Sequence, residues 1–499
     1  MRAIYRACIL SLLAAAPLAL KGQDIVLLRQ DAPDVEGGWG SAAVYGGYEA
    51  GGYHPAFAPE SLWKAGAKAQ ETYHGDQTSF TGAFSFEQIE GKGMFTSMFL
   101  EPGYFPIDVL EFTPGDKTRQ TYKLNGGFVT RFLDDFVFGV KADYTAANYA
   151  KRKDIRHTTY GMDFQVEPTF GMVQEEEGDR QSWSVAYIFR KRTETIDAEQ
   201  VGAATDQSYY AFLDKGMRYG TYQVWDGDGI HLDEAGVGVL PVREFTHGFA
   251  EQLQTGALGF SAGLKFLWKH GTVGEKGYEW FKYRGQTYST WFEKKWESGH
   301  SLRLDFDLEN DGLKEAVLDK VSSGGITTPT IYTYNAVSDR AWVSLDLTYA
   351  IRFRQGCLKR LQTVLHGGLW DESSYLMYPY EDKTTRYNGM ATVIAAFGFG
   401  PVDMNLRVNG GAGAWKDQGL QGGTDAVESV PYRLEGDWLR KMEYFSTGKL
   451  GAGLTLTYHM KAVDGLFLQA EGTWLHGFGI DLLPGADRWS STVRIGYDF

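Results

Sequence analysis

Two short stretches carry residue types that do chemistry. "GFSAG" (residues 259–263) fits Gly-x-Ser-x-Gly, in which a sharp strand-to-helix turn presents a serine as a nucleophile. "DGDGIHLDE" (residues 226–234) gathers Asp226, Asp228, Asp233 and Glu234 around His231, an oxygen-rich loop of the kind that suits Ca²⁺. Context weakens both. Ser261 sits inside the alternation Leu258, Phe260, Ala262, Leu264, Phe266, Trp268, which describes a strand and not an elbow. The acidic loop misses the helix-loop-helix calcium spacing, with Gly229 off register, and reads as solvated surface. His157, His270, His366, His459 and His476 lie near strand regions without a Ser or Asp at a spacing that marks a nucleophile and its base. The expectation is no catalytic residue, no cofactor, no metal and no enzyme activity, with a rim-sited hydrolase the least favoured alternative.

Charges on the polar faces of alternating strands are more informative. Arg303, Asp305, Asp307 and Glu309 alternate with Leu302, Leu304, Phe306 and Leu308. Arg352, Arg407, Lys449, Arg494 and Asp498 occupy equivalent places elsewhere. Charge there is costly unless paired or wet, so these residues are candidates to line a polar lumen. Both signs occur, so they can pair across a plugged lumen or line an open pore.

The elements that position them are long strands. Alternation holds phase for about 9 to 13 residues, beyond the 5 or 6 usual in a soluble sandwich and close to what a tilted bilayer-spanning strand needs. Tight turns such as "HGDQ" (residues 74–77), "ESGH" (297–300) and "RQGC" (354–357) alternate with longer polar segments such as 91–117, 195–242, 314–338, 371–385 and 415–445. Short turns at one end and long loops at the other are the habit of outer-membrane barrels. The fold expected is all-β: a transmembrane antiparallel β-barrel of about 16 strands, within 14 to 18. The upper figure applies if "SAAVYGGYEAGGY" (residues 41–53) and residues 61–73 are also strands.

Composition agrees. The 499 residues include 62 Gly, 29 Tyr, 30 Phe and 14 Trp with a mean hydropathy of -0.32, and no apolar block long enough for a spanning helix follows the N-terminus. At that N-terminus, Arg2 and Arg6 precede an apolar run from Ala7 to Leu20, with Gly22 a plausible cleavage position: a secretory signal peptide over residues 1–22. Its removal takes Arg2, Arg6 and Lys21 and no acid, moving the formal charge from -14 to -17. Only Cys357 then remains, so no internal disulfide forms. Residues 23–60 are expected as a periplasmic or lumen-inserted segment, with "DIVLLRQ" (24–30) the candidate for insertion, and residues 61–499 as the barrel. The segment is too short for the folded plug of TonB-dependent transporters, which argues against that family.

The chain ends "RWSSTVRIGYDF", with Val493, Ile495, Tyr497 and Phe499 at every second place. This resembles the assembly signal of bacterial outer-membrane proteins, which implies recognition by the barrel-insertion machinery. "SMFLEPGYFPIDVLEF" (residues 97–112) and "KRKDIRHTTYGMDFQVEPTFGM" (151–172) resemble an uncharacterised outer-membrane barrel family of Bacteroidota. That resemblance implies location in the cell outer membrane among its lipids, and transfers no functional residue. A barrel of this width suits a porin-like channel or transporter for a small solute. The rival is a structural barrel whose long loops, with aromatics such as Tyr209, Phe212 and Tyr219, dock a surface lipoprotein, a secretion partner or a ligand. Nothing resembles a basic nucleic-acid patch.

Overall fold

The computed structural model describes residues 37–499 except 133–134, 153, 177–178, 202–208, 218, 226–229, 233–234, 238, 257, 324–325, 378–379 and 420–434. The signal peptide, the 24–30 stretch and Asp226, Asp228, Asp233 and Glu234 lie outside the described residues.

The described chain forms 22 strands in one antiparallel sheet, of which 18 form the closed wall. They are β1 (Gly37–Ala50), β2 (Ser61–His74), β3 (Thr78–Ser97), β4 (Asp108–Arg131), β5 (Phe136–Lys151), β6 (Asp154–Glu176) and β7 (Asp179–Val201). After the short strands β8 (Tyr209–Asp214), β9 (Gly220–Trp225), β10 (Ile230–Leu232) and β11 (Ala235–Val237), the wall resumes with β12 (Val239–Thr255), which pairs directly with β7. It continues through β13 (Phe260–Glu275), β14 (Tyr278–Lys295), β15 (His300–Ser323), β16 (Ile326–Arg352), β17 (Leu358–Met377), β18 (Tyr380–Phe399), β19 (Val402–Asp417), β20 (Lys449–His459), β21 (Leu466–Gly477) and β22 (Asp487–Asp498).

The strand count is 18, the upper figure of the expected range, because both N-terminal stretches are strands in addition to the 16 wall strands from Thr78 onward. β1 closes the wall by pairing with β2 on one side and β22 on the other, Val44 facing Ala67 and Ile495. The barrel thus begins at Gly37, and the boundary expected at residue 61 falls inside it. The final aromatic is seated against β1: Phe499 and Gly40 exchange both backbone hydrogen bonds, and a Cβ on Gly40 would lie 2.3 Å from the Phe499 ring. Only glycine leaves that seat open.

Outward side chains define a belt. Val493, Ile495 and Tyr497 point out and are about half exposed, as are Leu304, Leu345, Leu454 and Phe292. Along β4 the outward apolar residues run from Phe132 to Tyr122 before Gln120 ends the row, about ten residues. At about 3.3 Å per residue and a tilt near 45°, that spans roughly 25 Å, the apolar height of a barrel in a bilayer. Aromatic pairs mark both edges: Tyr497 with Phe499 and Phe397 with Phe399 at the turn end, Tyr48 with Trp63 and Trp489 at the loop end.

The strands continue well past the belt. β15 and β16 run 24 and 27 residues and remain paired to Ser323 and Ile326. Segments 314–338 and 371–385, expected as loops, are mostly the tops of tall hairpins. Beyond the bilayer neither face of a strand needs to be apolar, so alternation fades while backbone pairing persists.

Deleting residues 37–50 leaves the facing edges of β2 and β22 without their partner. We expect loss of the compact, heat-modifiable species on semi-denaturing gels; a deleted chain that still migrates as a closed barrel contradicts this closure.

Candidate functional site at the loop end of the barrel

At the loop end the chain between β3 and β4 does not stand in solvent. It turns inward, burying Met98, Phe99, Phe105 and Ile107 to 2% exposure or less. They pack against inward residues of the wall: Ile196 on β7, Val242 on β12, Val273 on β13, Phe281 and Tyr283 on β14, and Leu313 on β15. The hydrophobic effect holds the strip inside, since those side chains would otherwise face water.

Entering the barrel takes the strip's backbone carbonyls away from water, and each then needs a donor. The wall provides them. Arg340 on β16 donates to the carbonyls of Gly103 and Phe105 at 3.0 Å and of Tyr104 at 3.1 Å. Lys117 reaches the Ser97 carbonyl at 3.2 Å, and Thr159 Oγ1 reaches that of Met98 at 2.6 Å. The Leu100 N–H is taken by Glu194 at 3.1 Å.

These wall groups form a buried charge network. Asp311 accepts both Arg340 nitrogens at 2.7 Å and sits 3.1 Å from Lys269, whose ammonium is 2.8 Å from Glu309. Glu244 accepts the hydroxyls of Tyr104 at 2.5 Å and Tyr283 at 3.2 Å. The Arg192 guanidinium lies 3.8 Å from the Tyr104 ring centre and pairs with Glu194 at 2.6 Å. A buried charge is costly unless it is paired and hydrogen-bonded, and this network supplies both.

Four further segments complete the closure. The hairpin of β8 and β9 pairs with the top of β4, Asp108 facing Asp214, and buries Phe212, Leu213 and Met217. A helix over Glu435–Ser446 buries Trp438, Met442 and Phe445, a 4-then-3 spacing that puts them on one face. The Arg386 guanidinium lies between the rings of Trp370 on β17 and Phe445 on the helix, 4.8 and 4.9 Å from their centres. The Glu443 carboxylate accepts the N–H groups of Asp481, Leu482 and Leu483, tying in the β21–β22 loop. From the β1–β2 connection, fully buried Tyr53 packs against Tyr444, their ring centres 5.0 Å apart and their planes tilted by 37°.

Nearer the turn end the inner wall changes character. Arg303 pairs with Asp305 at 2.7 Å and lies 4.7 Å from the Trp291 ring centre, with 33% of its side chain still exposed. Lys141 and Asp143 pair at 3.1 Å and His366 and Asp346 at 2.8 Å, all partly exposed. Asp307 and Arg407 face this same space from β15 and β19.

Other expected residues sit elsewhere. Glu309 belongs to the sealed network and not to the open lumen, because Lys269 and the inward strip cover it. Arg352 is exposed at the turn end of β16, and Lys449 stands at the loop end of β20, 5.5 Å from the Tyr444 ring centre. Ser261 is the second residue of β13, opposite Gln254 and Glu293, on a regular strand. His476 pairs with Asp487 and stacks on Trp474 at the loop-end rim, His459 pairs with Asp403 at the turn end, and His270 stacks on Phe245. His157 is fully buried under the mouth. Among the described residues, no three His, Cys, Asp or Glu side chains are placed to hold a metal ion. Sequence reading missed Arg340, Lys269, Glu244 and Arg192. The available signal was Met98, Phe99, Leu100, Phe105 and Ile107, too many apolar residues for an exposed loop.

Above the belt, desolvation raises the carboxyl of Asp108 to about 7, with Asp214 opposite adding to it, and raises Asp214 to about 6. Desolvation lowers the Lys441 ammonium of the helix.

The fold and this mouth define a membrane-spanning β-barrel whose loop end is closed from within. The chain belongs to a family of unknown function, DUF6850, whose model matches residues 35–499. No curated protein matches it. Among solved structures it is similar to the ferric preacinetobactin receptor BauA from Acinetobacter baumannii, at 8% identity over 93% of this chain and 80% of that one, with a TM-score of 0.40. It is also similar to the alcaligin outer-membrane receptor FauA from Bordetella pertussis (9%, 94% and 77%, 0.43) and the FrpB iron transporter from Neisseria meningitidis (10%, 96% and 83%, 0.39).

Arg340→Met removes three donors to the strip and leaves Asp311 with Lys269 alone. The cost is about 3 to 5 kcal/mol, which predicts at least a hundredfold faster amide exchange over residues 98–107 with strand amides unchanged. Unchanged exchange in the strip refutes this anchoring. A second prediction follows from the raised carboxyls. A raised pKa means the folded mouth holds these protons more tightly than the open chain does, so their contribution to stability is fully present only below about pH 4, the ordinary carboxylate range, and is lost progressively as pH rises from there through about 7. Amide protection of the β8–β9 hairpin should fall between about pH 4 and 7 after correction for intrinsic exchange, and Asp108→Asn with Asp214→Asn should flatten the profile. A profile unaltered by the double substitution contradicts this.

Proposed function

We propose that the protein is an outer-membrane barrel that passes a small solute, with the inward-folded loops as a gate on the external side. One observation carries the reading: at the loop end the inner wall is sealed by chain, with its largest charge network buried and paired, yet nearer the turn end it is polar and partly exposed. A barrel serving only as a scaffold has no need of the second zone; a solute path does. The turn end faces the periplasm by the loop asymmetry usual in such barrels, so the closed mouth faces outward. The partners this reading implies are outer-membrane lipids, a small solute and the insertion machinery that reads Val493, Ile495, Tyr497 and Phe499. The rival is docking of a surface lipoprotein on the tall hairpins, favoured by Tyr332 near the top of β16, which is 79% exposed.

The test is single-channel conductance in planar bilayers, comparing the intact chain with one in which residues 98–107 are replaced by a glycine-serine linker. The gate reading expects silence or brief openings from the intact barrel and steady conductance from the replaced one. Silence from both, with folding verified, rejects the path and favours docking.

A further inference from the structure

A cavity of about 110 Å³ lies where the closing segments meet. Its wall takes Asp108 from β4, Asp214 from β8, Glu372 from β17 and Asp437 and Lys441 from the helix, with Phe57, Phe105, Ile107, Met217 and Trp438 supplying apolar surface. Arg340 also reaches the wall, but Asp311 and three carbonyls already occupy it.

The charges here face one another without meeting. The Asp108 carboxylate accepts Ser97 Oγ and the Val109 N–H through one oxygen, and Asp214 accepts the Gly216 N–H through one oxygen. Glu372 accepts the Met217 N–H and the Trp370 Nε1–H, and among the described residues Asp437 has only a distant ion contact, with Arg440 at 3.9 Å. Lys441 has no ion pair within 4 Å among the described residues, although Glu372 and Asp214 act on it electrostatically. The neighbouring cavity of about 150 Å³ differs: its Lys215 and Glu315 satisfy each other at 2.5 Å.

A second feature points to an occupant. Thr96 lines the same cavity at 6% exposure, and its Oγ1 has no hydrogen-bond partner. A polar atom so placed is costly unless something else pairs with it.

We propose that this cavity binds a small zwitterion of the α-amino acid class, its ammonium on the side of Asp108 and Asp214 and its carboxylate on the side of Lys441. A molecule bearing one charge would answer only one side. A cavity of 150 Å³ takes the six carbons of a benzene ring, so by proportion this volume admits roughly four or five non-hydrogen atoms, the size of glycine, with alanine at the upper limit. The proposal deepens the transport reading, on which it rests, by naming the class of solute first met at the gate.

Binding is measured by calorimetry on the full chain in detergent, where conduction plays no part, so a failed channel and a failed site remain distinct results. The probes are glycine, alanine, leucine, propionate and ethylammonium at pH 7.5. Glycine or alanine should bind at least tenfold tighter than propionate, ethylammonium or leucine. Lys441→Met and Asp214→Asn should each weaken alanine at least tenfold in protein that retains heat-modifiable migration, and Thr96→Val should weaken it severalfold with the charges intact. No binding of glycine or alanine by folded protein, equal binding of the single-charge analogues, or variants that leave alanine affinity unchanged would each overturn the proposal.

Discussion

A strip of polypeptide folded into a barrel must find a partner for every polar backbone group it takes out of water, and Arg340 supplies three of them at once. It does so while held by Asp311, which is shared with Lys269, which in turn holds Glu309. Four strands are thereby committed to the position of one loop: β13, both hydrogen-bonded neighbours β15 and β16, and, through Glu244 and the Tyr104 hydroxyl, β12. The apolar contacts of Met98, Phe99, Phe105 and Ile107 supply the driving force, whereas the charge network fixes where the strip comes to rest.

That arrangement divides the lumen into two zones with different physics. At the mouth, wide spacing between opposite walls is filled by chain, so charged residues are dry, and those that hold the strip are paired through Asp311, Glu309 and Glu194. Toward the turn end nothing described fills the space, and pairs such as Arg303–Asp305 keep part of their surface in water. The same residue types thus do different work at different heights. Glu309 and Asp305 lie four residues apart on the same face of β15, yet Glu309 is sealed while Asp305 keeps part of its side chain exposed.

What could be read in the sequence followed from the bilayer. Where lipid covers one face, as at Leu302, Leu304, Phe306 and Leu308, alternation is strict, and the strands declare themselves. β1 was less legible because Gly40, Gly46 and Gly47 replace the side chains that would show alternation; Gly40 at least is required by the seat of Phe499. The tall hairpin tops read as loops because Lys314, Glu315, Asp319 and Lys320 lie beyond the lipid, where pairing needs no apolar face. The mouth was the least legible part. Its partners, Arg340 with residues 103–105 for example, are more than 230 positions apart, and no local period encodes such a contact.

The central claim is a wet lumen closed on the external side, and site-directed cysteine accessibility addresses it most directly. Ser289 faces the lumen from β14 opposite Asp307, nearer the turn end than the inward strip. In a Cys357→Ser background, Ser289→Cys should react with a small membrane-impermeant thiol reagent added from the periplasmic side and stay protected from the same reagent added outside. Reaction from outside would contradict the closed mouth, and protection from both sides would contradict the wet lumen.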